Sequence, residues 1–164
     1  MGGWQAHHYR PPAMTERADT FPPLPADKAE RWAKFGHWDR TLFPNLVGLE
    51  VEEVRTDYCR MRLPFRDELE QPAGIVHGGA LATLIDTVVV PAVGQAYDAG
   101  WLFATVSMDI QYLSAVVKQD AVAEGWIVKR GSSLVFCRAE VRGADGREAA
   151  HGTLVYAVKP PREA

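Results

Sequence analysis

The sequence predicts an α+β fold, an antiparallel sheet carrying one principal helix on a face. Three observations predict it. One long apolar run, from about Gly78 to Tyr97, is far too long for a single strand and suits a helix. Runs of period-two alternation lie on both sides of it. The breaks between the later runs are short and turn-like, and Asp145-Gly146 between two alternating segments is a strong hairpin signal.

Composition narrows the function classes. The chain has 164 residues, 47% of them hydrophobic and 24% charged, which suits one globular domain. The formal net charge is −3 and no basic stripe is visible, which argues against nucleic-acid binding. Cys59 and Cys137 stand far apart in alternating apolar segments and read as packed strand residues. His7, His8, His37, His77 and His151 show no ligand spacing, so no metal and no separate cofactor is expected. The first residues contain no apolar signal core. The long apolar run is interrupted by Thr83, Asp86, Thr87, Pro91 and Gln95, so it reads as a core helix and not a membrane span. The expected location is the cytoplasm.

Two regions follow from the pattern. Residues 1–40 form an N-terminal extension. Its first 26 residues are rich in proline and read as a loose lead-in whose removal should leave folding and activity intact. Asp27 is expected to cap a helix over about residues 28–38, packed at the mouth of a pocket or at a sheet edge. Residues 41–160 form the main domain. The segment from Leu42 to Gly48 makes a turn or short helix, and Glu50 to Phe65 is expected to be one strand. After the acidic loop around Asp67 comes the long helix, with Pro91 expected to bend it. Four strands are then predicted, at 101–112, 120–130, 134–142 and 148–158, making five in all.

The chemistry concentrates in Gln71-Pro72-Ala73-Gly74-Ile75-Val76-His77-Gly78-Gly79 and in the lone acid of the run that follows, Asp86. A helix start presents backbone N–H groups without intrahelical partners at the positive end of the macrodipole. Such a terminus can hold a carbonyl oxygen that gains negative charge. A carboxylate in an apolar helix is costly unless it has a task or a partner. Asp86 follows His77 by nine residues, two and a half turns, so more than about 10 Å of helix separates the two ends. One substrate atom cannot comfortably meet both. If both act, the acid is expected to come from a second copy of the chain; the alternative is a structural acid bonded to a buried polar group.

The pattern Gln71-x-x-Gly74-x-x-His77-Gly78-Gly79-Ala80-x-x-x-Leu84-x-Asp86, followed by strands ending in Gly152-Thr153-x-x-x-Ala157, resembles the hotdog-fold thioesterases of the PaaI-like family, the group that includes phenylacetate-pathway and certain 4-hydroxybenzoyl-CoA thioesterases. The resemblance covers about residues 45–158. It implies a five-stranded antiparallel sheet wrapped around one long helix, a homodimer as the minimal active unit and, by analogy, a tetramer. It implies hydrolysis of a medium-chain or aromatic acyl-CoA, with coenzyme A as part of the substrate. In that reading Gly78 donates its N–H to the thioester carbonyl, and Asp86 attacks or activates water. Gln71 positions substrate or water, His77 supports the turn, and Thr105 assists from the following strand. Gly79, Leu81, Ile85 and Val89 are expected along the acyl group. Lys129, Arg130, Ser132 and Ser133 are expected near the nucleotide of coenzyme A. Where relatives pair Asn with Asp or Gln with Glu, this chain combines Gln71 with Asp86, and a shorter acid suits holding a water. The rival readings are a non-catalytic acyl-CoA sensor and an enoyl-CoA hydratase on the same fold. Retention of Asp86 argues against the first, and the absence of the usual His and acid arrangement argues against the second.

Overall fold

A computed structural model describes residues 17–161. The sequence-predicted loose lead-in falls largely on residues 1–16, outside the described residues. Two short helices open the described chain, α1 (Ala26–Trp32) and α2 (Phe43–Val47). The hairpin β1 (Glu50–Arg55) and β2 (Tyr58–Leu63) follows, then the long helix α3 (Gly78–Gly94). The remaining strands are β3 (Leu102–Tyr112), β4 (Ala121–Arg130), β5 (Leu134–Gly143) and β6 (Glu148–Lys159).

The strands form one antiparallel sheet in the order β1-β2-β4-β5-β6-β3. It has six strands where the sequence predicted five, because the chain reverses inside the expected first strand. Thr56 and Asp57 make that turn, and Asp57 takes a left-handed conformation at φ 64. Aspartate tolerates this region, so a tight turn forms without a glycine. The other strand predictions match within a residue or two.

Alternation places Met61, Ala123, Cys137 and Leu154 on the sheet face toward α3, all of them buried. α3 lies across that face, and Leu84, Ile85, Val88 and Val89 are fully buried in the shared core. It ends at Gly94, three residues before the predicted end, and Pro91 lies inside its last turn. No helix among the described residues is long and apolar enough to cross a membrane.

The N-terminal segment departs from expectation in two respects. α1 spans seven residues and starts after Pro25, not after Asp27. Pro25 takes an extended conformation and closes the helix start with no side-chain cap. α1 packs against β1 at the sheet edge, as expected, and Trp32 covers the end of α3. A Cβ on Gly94 would lie 2.4 Å from the Trp32 ring, so the indole occupies a notch that only glycine leaves open. Residues 17–24 are packed rather than loose. Arg17 Nη1 lies 3.1 Å from Glu124 Oε2 and Nη2 lies 2.8 Å from Glu140 Oε2, while the guanidinium sits 4.2 Å over the Trp126 ring. Phe21 stacks on Tyr58 at 5.1 Å, and Tyr58 donates its hydroxyl to Glu124 at 2.7 Å. These residues cover the sheet face opposite α3. Removing residues 1–26 would leave a fully buried Glu124 without its cation, which favours a loss of stability over the expected neutrality of that truncation.

Candidate active site

The approach to α3 is fixed by backbone bonds. Gln71 N–H donates to Ile75 O at 2.9 Å, Val76 N–H to Val116 O at 2.9 Å and His77 N–H to Leu69 O at 2.7 Å. His77 then serves as the N-cap, and its Nδ1 accepts the Gly79 N–H at 2.8 Å. A Cβ on Gly79 would lie 2.9 Å from that nitrogen, so glycine is what lets the ring close over the turn. Gly79 therefore completes the cap. Its N–H is already taken by the His77 ring.

Gly78 is different. As the first helical residue it has no intrahelical acceptor for its N–H, and none is found elsewhere among the described residues. Its Cα lies against Tyr112: a Cβ there would approach the ring to 3.3 Å, and the Tyr112 hydroxyl donates to Gly78 O at 3.0 Å. Beside this pair opens a cleft of about 310 Å³, lined among others by Gln71, Ile75, Gly78, Leu81 and Tyr112. Gln71, Gly78 and Leu81 thus share one opening. Tyr112 belongs to it as well, and the sequence reasoning gave that residue no role.

Asp86 stands farther along α3 and is half-buried. Two hydroxyls from neighbouring strands converge on one of its oxygens. Thr105 Oγ1 donates to Oδ1 at 2.7 Å, and Tyr156 Oη lies 2.8 Å from Oδ1 and 2.7 Å from the Asp86 main-chain oxygen. Thr105 and Tyr156 are register partners on β3 and β6, which explains why both reach the same acid. A bulge after Thr105 interrupts the ladder there, a device that commonly re-aims a side chain beside a site. Burial, with the Asp86 carboxylate beside it, pushes the Tyr156 phenol well above its ordinary ionisation range. Tyr156 was missed by sequence reasoning. Its alternating position marked it as an inward residue, and a buried tyrosine hydroxyl needs a partner, but only the register identifies Asp86 as that partner.

The remaining candidates lie elsewhere. Lys129, Arg130, Ser132 and Ser133 are exposed at the β4–β5 hairpin. Arg130 is paired with Asp57, which also accepts from Gln95 Nε2 at 2.8 Å just beyond the end of α3. Within one chain the hairpin is therefore at the opposite end of α3 from Gly78. In the single chain Arg130 pins a structural corner through Asp57. Ile85 and Val89 are fully buried against the sheet. They pack the core, and neither lines the cleft beside Gly78.

Comparison with known proteins bears on this arrangement. Residues 73–150 match the model of the thioesterase superfamily. Two archaeal relatives carry esterase names. The one from Halobacterium salinarum is 32% identical over 95 residues, and the match covers 55% of this chain and 62% of that protein. The one from Saccharolobus solfataricus is 26% identical over 104 residues, covering 60% and 71%. The chain thus spans somewhat under two thirds of the length of the Halobacterium relative. A solved structure described as from the thioesterase superfamily is 27% identical, with a TM-score of 0.72, covering 82% of this chain and all of that one. The Escherichia coli PaaI protein of the phenylacetic acid degradation operon shares the fold at 14% identity, with a TM-score of 0.73 over 83% of this chain and 96% of that one.

Proposed function

Because residues 73–150 match the thioesterase superfamily model and the fold is the hotdog fold of solved thioesterase-superfamily structures, we propose that the chain is a member of that superfamily and hydrolyses an acyl-coenzyme A thioester at sites shared between two copies of the chain. The observation that carries this reading is the division of groups along α3. An unpartnered N–H at Gly78 borders a cleft at one end, and a carboxylate held by two hydroxyls stands two turns away. Both ends flank β3, an edge strand of the sheet. Tyr112 touches Gly78 near one end of β3, and Thr105 touches Asp86 toward the other. Antiparallel pairing of two β3 edges about their middle turns each Tyr112 end toward the partner's Thr105 end. Gly78 of one copy and Asp86 of the other then face a common space. Met108 and Val106, large apolar side chains exposed on this edge, favour such a contact.

In this site the Gly78 N–H receives the thioester carbonyl oxygen as it becomes an oxyanion. Asp86 takes a proton from water while the water oxygen bonds to the carbonyl carbon. The tetrahedral intermediate collapses, the carbon–sulfur bond breaks, and the coenzyme A thiolate leaves and is protonated. Water activation is favoured over direct attack because the short Asp86 side chain is tied back to the sheet by Thr105 and Tyr156. Gln71 in the cleft orients substrate or water. Leu81 and Tyr112 give the cleft an apolar and aromatic wall, which suits a medium-chain or aromatic acyl group. No metal or separate cofactor is invoked.

Release of free thiol from hexanoyl-CoA and phenylacetyl-CoA tests the activity. Turnover is expected in the parent chain, with a loss of roughly 10²- to 10⁴-fold in Asp86→Asn. Binding without turnover would replace this reading with that of an acyl-CoA sensor. Single-turnover hydrolysis in ¹⁸O water separates the two roles of the acid. Label in the first acid released supports water activation, and label retained in Asp86 supports direct attack.

A further inference from the structure

The two hydroxyls on Asp86 are arranged unequally around its carboxylate. Thr105 and Tyr156 both address Oδ1, whereas Oδ2 has no hydrogen-bond partner among the described residues. Tyr156 also reaches the main-chain oxygen of the same residue. Its single proton is therefore shared between two acceptors that both belong to Asp86, so the phenol addresses backbone and carboxylate together. The ring that carries this hydroxyl is almost fully buried, facing α3 from β6, and cannot swing away without opening the core. The neighbouring strand positions are occupied by Thr105 on one side and Val135 on the other. Val135 offers no competing polar group, so the phenol has Thr105 and Asp86 as its polar company.

We propose that Tyr156 is a positioning residue that, together with Thr105, immobilises Oδ1 of Asp86 and thereby assigns the reaction to Oδ2. This rests on the reading of Asp86 as the base of the thioesterase. The free oxygen is the one that receives the proton from water, and its direction is set by the side that is held. A carboxylate free to rotate about its terminal torsion would present either oxygen and would spend part of its time turned away from the water. Fixing it keeps the reacting atoms in a productive geometry, and small misplacements of such groups are expensive in rate. Tyr156 itself takes no part in proton transfer. Its hydroxyl stays protonated through the neutral range because burial and the adjacent carboxylate oppose its ionisation.

The test is a double-mutant cycle on the full chain with Tyr156→Phe and Asp86→Asn, following thiol release from a turned-over acyl-CoA. Tyr156→Phe keeps the ring and deletes only the hydroxyl. Its kcat is expected to fall by about 10- to 100-fold, the scale of one hydrogen bond to a charged group. KM should stay within about twofold, since the substrate does not touch the phenol. In the Asp86→Asn background, the same change should lower the residual rate by less than about twofold, because a residue that acts through Asp86 has nothing left to position. Thermal unfolding of each variant checks that the fold survives. If Tyr156→Phe does not fold, Thr105→Val, which frees the same oxygen from the other side, is carried through the same cycle with the same expectations. An intact kcat in Tyr156→Phe, a change confined to KM, or an equal loss in both backgrounds would overturn the role of Tyr156 while leaving Asp86 as the base. Full turnover in Asp86→Asn alone would instead overturn the reading of Asp86, and this proposal with it.

Discussion

At the residue scale, the turn before α3 separates its two glycines by what their N–H groups meet. The His77 ring takes the Gly79 N–H, while the N–H of Gly78, a residue lining the cleft, has no acceptor among the described residues. A cap of this kind contributes about 1 kcal/mol to stability. His77→Ala is therefore expected to lower the unfolding free energy by about 1 kcal/mol, and His77→Asn, whose side chain also caps well, by less. Urea unfolding measures both. The site residues were unequally legible. Asp86 and Gly78 stood out because a lone acid and a pair of glycines interrupt an apolar run. Tyr156 and Tyr112 did not, because an aromatic residue in an alternating strand reads as core until the register shows what its hydroxyl meets. Ile85 and Val89 are buried against the sheet, and a helix that is apolar nearly all round does not reveal from its sequence which side faces a pocket.

At the element scale, strands β3 to β6 could be read from alternation and short turns, whereas the β1–β2 hairpin could not. Its turn is built on Asp57 at positive φ, and neither glycine nor proline announces it. α1 is shorter than its pattern suggested because packing, not propensity, sets its extent: Trp32 sits in the notch at Gly94, and the chain turns just beyond it. Gly94→Ala would push a methyl group into that ring and is expected to detach α1 from the end of α3. The measurable consequence is a loss of roughly 1–3 kcal/mol in stability, with a shift in tryptophan emission toward that of a wetter environment.

At the scale of the whole molecule, the face of the sheet away from α3 carries a buried charge network. Burial pushes the Glu124 carboxyl above its ordinary range, against the opposing pull of Tyr58 and Arg17. A carboxyl raised in the folded state binds its proton more tightly there than in the unfolded chain. Its contribution to stability is present below the ordinary carboxylate range and is lost as pH rises through the folded value. Glu124→Gln should therefore flatten the loss of stability on going from about pH 4.5 upward. Chemical denaturation across that window checks it. Arg17→Ala removes the cation and leaves the acid buried, and about 3–5 kcal/mol of destabilisation is expected near neutral pH. The proposed sharing of the site between two chains has its own test. Co-expressed Asp86→Asn and Gly78→Pro chains should form mixed dimers with one intact site of two, which restores about a quarter of parental turnover. A site built within one chain would restore none.

The position of Asp86 two turns along α3 from Gly78 also has a kinetic consequence. If the site is shared as proposed, a solitary chain holds half of each of two sites and completes neither. Specific activity then depends on protein concentration and should fall on dilution toward the dissociation constant of the pair. Catalysis would begin with an encounter between two chains, and a lag after dilution and remixing would measure how fast they find each other.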